Sequence, residues 1–155
     1  VKYLLDTNLI KEIGKTSPHE NVEAWLATID DSELAISVIS IREIWKGIER
    51  KRSDNPELAG RLEQAAKGIL VSFQGRVLAV DEKTAIRWGE LLGRSEKHID
   101  DTGLTAIAYL HSLVLVTRNV TDVRGRGVDI LDPFKKPPQL LRSEPSATTP
   151  STTNT

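Results

Sequence analysis

Four acidic residues stand where apolar segments give way to polar ones. Asp6 follows the apolar run 1–5, and Glu43 lies in the first turn after the run 34–39. Asp101 opens the segment before the run 113–116, and Asp122 follows that run. Carboxylates gathered at the ends of buried strands offer hard oxygen ligands, the chemistry that holds Mg²⁺ or Mn²⁺ beside water and phosphate. Such ions promote phosphodiester hydrolysis by lowering the pKa of the attacking water and by stabilising charge on the entering and leaving oxygens. The gathering itself calls for a cation. Two carboxylates ~4 Å apart repel by about 1 kcal/mol in water and about 4 kcal/mol at an effective dielectric of 20.

Each acid also has a purely structural reading. Ser40-Ile41-Arg42-Glu43 has the form of a capping box, in which Glu43 only returns a hydrogen bond to the Ser40 backbone. Asp101 suits a helix N-cap or first turn, a role that Asp100 shares, and Asp122 suits a solvated loop. Asp6 is different. It ends a buried strand whose turn Thr7 or Asn8 can satisfy, which leaves its carboxylate for function. Other motifs fail. Gly14-Lys15-Thr16 lacks the first glycine of a phosphate-binding loop, since that place holds Leu9. His19, His98 and His111 lack metal-site spacing, and the absence of cysteine excludes disulfides, thiolate zinc sites and a cysteine nucleophile.

The elements that must position these acids alternate in type. Short apolar runs at 1–5, 34–39, 77–80, 113–116 and 128–131 read as strands. Between them, Val22, Trp25, Leu26 and Ile29, then Ile41, Ile44, Trp45 and Ile48, then the long stripe from Leu58 to Phe73 fall at helical spacing. Asp81 is placed to cap a further helix carrying Ala85, Trp88, Leu91 and Leu92. Strands alternating with helices predict an α/β fold with a mainly parallel sheet of four or five strands, whose ligands bind at the strands' carboxyl ends. The 155 residues suit one domain, taken as 1–136, followed by a Pro/Ser/Thr-rich segment, 137–155, expected to be disordered. A net charge of −1 confines any nucleic-acid contact to a local patch. No apolar run approaches the ~20 residues of a membrane span, so a cytoplasmic protein is expected.

Taken together, Leu4-Leu5-Asp6-Thr7-Asn8, the run from Ser37 to Ile48, Asp101 before Leu104-Thr105-Ala106-Ile107-Ala108, and Val116-Thr117-Arg118-Asn119-Val120-Thr121-Asp122 resemble a PIN domain, and within it the VapC-type toxins of bacterial toxin–antitoxin pairs. The resemblance runs from about Lys2 to Phe134. It implies a three-layer α/β/α fold and a Mg²⁺- or Mn²⁺-dependent endoribonuclease that is dimeric and held inactive by a cognate antitoxin. Its products would carry 5′-phosphate and 3′-hydroxyl ends, as attack by metal-activated water requires. By position, Asp6, Glu43 and Asp101 match the family's acidic triad and Asp122 its less uniform fourth acid, while Thr7 and Asn119 match supporting polar residues. Asp101 is preferred to Asp100 by its spacing to Ala106, Ala108 and His111. Asp6 and Asp101 would be the principal metal ligands, with Glu43 binding through water or orienting the nucleophile and Asp122 supporting a second site.

Arg118, Arg124 and Arg126 flank the site in sequence and suit RNA phosphates. The faces around Trp25 and around Ile44, Trp45 and Ile48 suit either a protein partner or core packing. Two other functions compete: an inactive PIN-like binding module, and an aspartyl-phosphate-type phosphatase, whose usual second Asp is Asn8 here.

Overall fold

The computed structural model describes residues 1–143. Six strands form one sheet in the order β3-β2-β1-β4-β5-β6: β1 Tyr3–Leu5, β2 Leu34–Ser37, β3 Val77–Leu78, β4 Val114–Val116, β5 Ile130–Asp132 and β6 Gln139–Leu141. The first five run parallel, and β6 pairs antiparallel with β5. The chain builds outward from β1 through β2 to β3, then returns to place β4 on the other side of β1. That reversal makes the carboxyl ends of β1 and β4 the topological switch point where open α/β sheets bind ligands.

The sheet is buried on both faces, which explains why its strands read as continuous apolar runs. Leu4, Ala35, Leu115 and Ile130 join one core with Leu104, Ile107 and Ala108. Their strand neighbours Leu5, Ile36, Val116 and Leu131 join the other with Leu9, Ile10, Val22 and Phe134. Helices α5 (Glu82–Arg94) and α6 (Ile99–Leu110) cover the first face, and α1 (Thr7–Ile13) and α2 (Glu20–Leu26) the second. Helices α3 (Val38–Arg52) and α4 (Pro56–Ser72) form a hairpin with a small core of its own, Ile48, Ala59 and Ala66. Gly103 lets α6 approach closely: a Cβ there would stand 2.6 Å from Ile39 Cδ1 and 2.8 Å from the Trp88 ring. Among the described residues, no helix is long and apolar enough to cross a membrane.

Several expectations need correction. The second strand stops at Ser37 and not at residue 39, because the Ser37 hydroxyl accepts the Ser40 N–H and starts α3 two residues early. Residues 139–141 of the segment expected to be disordered form β6, raising the strand count to six, and 144–155 lie outside the described residues. Asp122 belongs not to a loop but to the short helix α7 (Val120–Val123). Of the two readings of the faces around Trp25 and Ile48, core packing holds for these two side chains: Trp25 is buried with its ring edge-on to Tyr3, and Ile48 is buried too.

Candidate metal centre

The sequence ends β1 with an acid and β4 with a hydroxyl, and the parallel pairing of these strands sets the two side by side. Asp6 is 4% exposed. Its Oδ1 accepts the Thr7 N–H at 2.6 Å, which makes Asp6 itself the N-cap of α1 and corrects the expectation that Thr7 or Asn8 would satisfy that turn. Its Oδ2 accepts the Thr117 hydroxyl at 2.6 Å and the Asn8 amide at 3.3 Å. Burial pushes the Asp6 carboxyl up, and these three donors oppose it. Thr117, whose oxygen also receives the Asn119 N–H at 3.0 Å, went unassigned in the sequence. Its signal is topological: a hydroxyl ending the strand next to the one that Asp6 ends.

Glu43 lies in the second turn of α3 and not the first, since the helix starts at Val38. The capping box therefore does not form, and the structural role that Glu43 would have had there falls away. Burial raises the Glu43 carboxyl, and Asp100 and Asp6 raise it further, while the Thr7 side chain works in the opposite direction. Thr7 also donates to the Ser40 hydroxyl at 3.0 Å, which ties α1 to α3 beside the acids.

The first turn of α6 separates the two adjacent aspartates. Asp100 forms an ion pair with Arg42. Asp101 faces Asp6 and Asp122, whereas Asp100 also stands against Glu43. Burial, then Asp6, then Asp122 push the Asp101 carboxyl up to about 6, while His98 and Arg126 hold it down. Among the described residues, the ligand atoms of His98, Asp101 and Asp122 all lie within 4.8 Å of one another, with His98 Nε2 3.5 Å from Asp122 Oδ1. Asp6 and Glu43 stand outside that group; Asp6 acts through charge on Asp101 within it and on Glu43 outside it. The four acids thus share one sheet edge. His98, set aside in the sequence for its spacing, sits three residues before Asp101, and the turn leading into α6 brings both to one place.

Of the other expected residues, Asn119 precedes α7 and makes no side-chain capping bond. Arg126 donates to the Thr102 hydroxyl at 2.6 Å, and Arg118 lies over the Phe134 ring at 4.4 Å. Arg118 and Arg124 line a groove of about 480 Å³ with Lys135 and Asp122. A second, open depression of about 620 Å³ is lined by Lys11, Lys46 and Arg50 together with Glu43, Glu96, His98, Asp100 and Asp101. Both surfaces therefore carry cations beside acids.

The donor set fits a divalent ion. Hard carboxylates and one imidazole converge, a carboxyl is pushed up by burial and by its anionic neighbours, and the buried Asn8 Oδ1 beside Asp6 finds no hydrogen-bond partner among the described residues.

The mainly parallel sheet, with acids at the switch point between β1 and β4, places the protein among the open α/β domains. The chain belongs to the PIN domain family, which matches residues 3–121. It is 30% identical over 138 residues to Toxin FitB of Neisseria gonorrhoeae, spanning 84% of this chain and 97% of that protein. It is 26% identical over 139 residues to VapC ribonuclease Y4jK of Sinorhizobium fredii, spanning 85% and 97%. Among solved structures, the crystal structure of FitAcB from Neisseria gonorrhoeae matches with a TM-score of 0.69 at 30% identity, covering 85% of this chain and 98% of that one. The crystal structure of DNA-bound VapBC from Salmonella typhimurium matches with a TM-score of 0.67 at 25% identity, covering 84% and 96%.

Proposed function

We propose that this PIN-domain protein is a metal-dependent endoribonuclease, the toxin of a toxin–antitoxin pair, working with Mg²⁺ or Mn²⁺. One observation carries the reading: acids from four separate stretches of chain act on one another at a single sheet edge, and burial, then Asp6, then Asp122 push the Asp101 carboxyl up to about 6. An arrangement so unfavourable without a counter-charge suits a site built for a cation. The relatives named as a toxin and as a VapC ribonuclease support the same activity. The VapBC structure supports a protein partner, which for a toxin is its antitoxin.

When bound, the divalent ion activates water and offsets charge on the phosphate oxygens. The chain's residues do the rest. Asp101 and Asp122, rather than the pair Asp6 and Asp101, would hold the ion, and Asp6, fixed by Thr117, Thr7 and Asn8, would complete the negative pocket. Glu43, raised by burial and by its acidic neighbours, is suited to orient the nucleophile and take its proton. Arg118, Arg124 and Lys135 in one depression and Lys11, Lys46 and Arg50 in the other suit the phosphates flanking the scissile bond.

The test is cleavage of labelled structured RNA by purified, antitoxin-free protein with MgCl₂. Cleavage that stops with EDTA and falls at least ~100-fold in Asp6→Asn supports the reading. Cleavage indifferent to both contradicts it.

A further inference from the structure

We propose that His98 supplies a nitrogen ligand to the divalent ion, forming with Asp101 and Asp122 a mixed imidazole–carboxylate centre that favours first-row transition-metal ions over Mg²⁺. This rests on the metal-dependent reading above and adds to it a ligand that is not an acid.

Three observations carry it. The ligand atoms of His98, Asp101 and Asp122 lie within 4.8 Å of one another. Donors about 2.0–2.2 Å from one ion stand roughly 3 Å apart when adjacent and at most roughly 4.4 Å when opposite, so movements of a few tenths of an ångström bring atoms at the outer end of this spacing onto one ion. Second, at 3.5 Å the contact between His98 Nε2 and Asp122 Oδ1 is longer than a good hydrogen bond, so the imidazole is beside the carboxylate without being locked to it. Third, helix capping does not account for the side chain: His98 is the residue before α6, yet it makes no side-chain capping bond.

Its backbone is held instead. The His98 carbonyl accepts both the N–H and the hydroxyl of Thr102 at 2.8 Å, and Arg126 donates to that hydroxyl at 2.6 Å. The imidazole is therefore presented from an anchored position, as a metal ligand needs to be. Imidazole is a borderline donor that transition ions accept readily, whereas Mg²⁺ keeps to oxygen and retains its waters.

The test uses the RNA-free protein and two probes, Mn²⁺ and Mg²⁺. Pulsed electron paramagnetic resonance of the Mn²⁺ complex reads coordinated nitrogen directly. His98 has φ 55°, a conformation that Asn and Gly tolerate best, so His98→Asn and His98→Gly preserve the backbone. The wild type is expected to show imidazole nitrogen modulation. Both His98 variants should lose it, and His19→Asn and His111→Asn should keep it. By calorimetry, Mn²⁺ affinity should fall about tenfold or more in the His98 variants and Mg²⁺ affinity less than about twofold. Bound Mn²⁺ without nitrogen modulation, or with modulation that survives both His98 variants, overturns the ligand assignment and leaves an oxygen-only centre. No Mn²⁺ binding to the wild type overturns the underlying metal reading as well, so the two failures are distinct.

Discussion

The Thr117 hydroxyl donates to Asp6 Oδ2 at 2.6 Å, joining residues 111 positions apart in the chain across the junction of β1 and β4. Burial raises the Asp6 carboxyl, and this contact is the largest of the hydrogen bonds that oppose the rise. Thr117→Val removes the donor and keeps the shape. RNA cleavage should fall roughly 10–100-fold, the usual cost of losing a partner that orients a metal-site ligand. Folding stability should drop by about 1–3 kcal/mol, as for a buried acceptor left short of a donor. Initial-rate kinetics and chemical denaturation measure the two effects separately.

Glu43→Gln separates the catalytic from the structural reading of that residue. Because Ser37, and not Ser40, caps α3, removing the charge of Glu43 breaks no cap. It relieves repulsion from Asp100 and Asp6. The variant should lose at least ~100-fold in cleavage while its metal-free form melts at or above the wild-type temperature. Calorimetric melting beside an RNA cleavage assay checks both.

The acids also set a pH dependence. Asp6, Glu43 and Asp101 all have carboxyls raised above their ordinary values, Asp101 from 3.8 to about 6. A raised carboxyl favours the folded state while protonated, so its contribution is full below the ordinary value and is lost as pH climbs through the folded one. Between pH 5 and 7.5 the metal-free protein should lose stability, by about 1 kcal/mol or more and thus about 3 °C in Tm. Saturating Mn²⁺ should reverse the trend, since the ion prefers the ionised acids. Scanning calorimetry at both pH values, with and without the ion, gives the answer.

Gly103 positions α6, and through it Asp101. A Cβ there meets the Trp88 ring at 2.8 Å and Ile39 Cδ1 at 2.6 Å, so Gly103→Ala should cost about 1–3 kcal/mol by overpacking. Denaturant titration measures it.

Much of this arrangement was legible in the sequence for identifiable reasons. The strands are buried on both faces, so Leu4-Leu5, Ala35-Ile36 and Leu115-Val116 read as unbroken apolar runs, and turn-formers or acids mark their ends. Ser37 was harder to read: it can close a strand or cap a helix, and the choice moved Glu43 from the first turn of α3 to the second. The strand at Gln139–Leu141 has only three residues, partly exposed, in a Pro/Ser-rich context, and tertiary pairing with β5 overrides that composition. His98 and Thr117 were passed over because each gains its meaning from a residue distant in sequence, Asp122 and Asp6 respectively. Spacing along a chain does not encode such contacts unless the strand order is known.

The central claim is that these acids tolerate one another because a divalent ion binds among them. Thermal unfolding of the metal-free wild type and of Asp101→Asn, each with and without ~5 mM Mn²⁺, addresses it most directly. The account predicts a rise of several degrees in Tm on adding Mn²⁺ to the wild type. It predicts a higher metal-free Tm in Asp101→Asn, and little further rise with the ion. A wild type that melts at the same temperature with and without Mn²⁺, and below which Asp101→Asn falls, would contradict it.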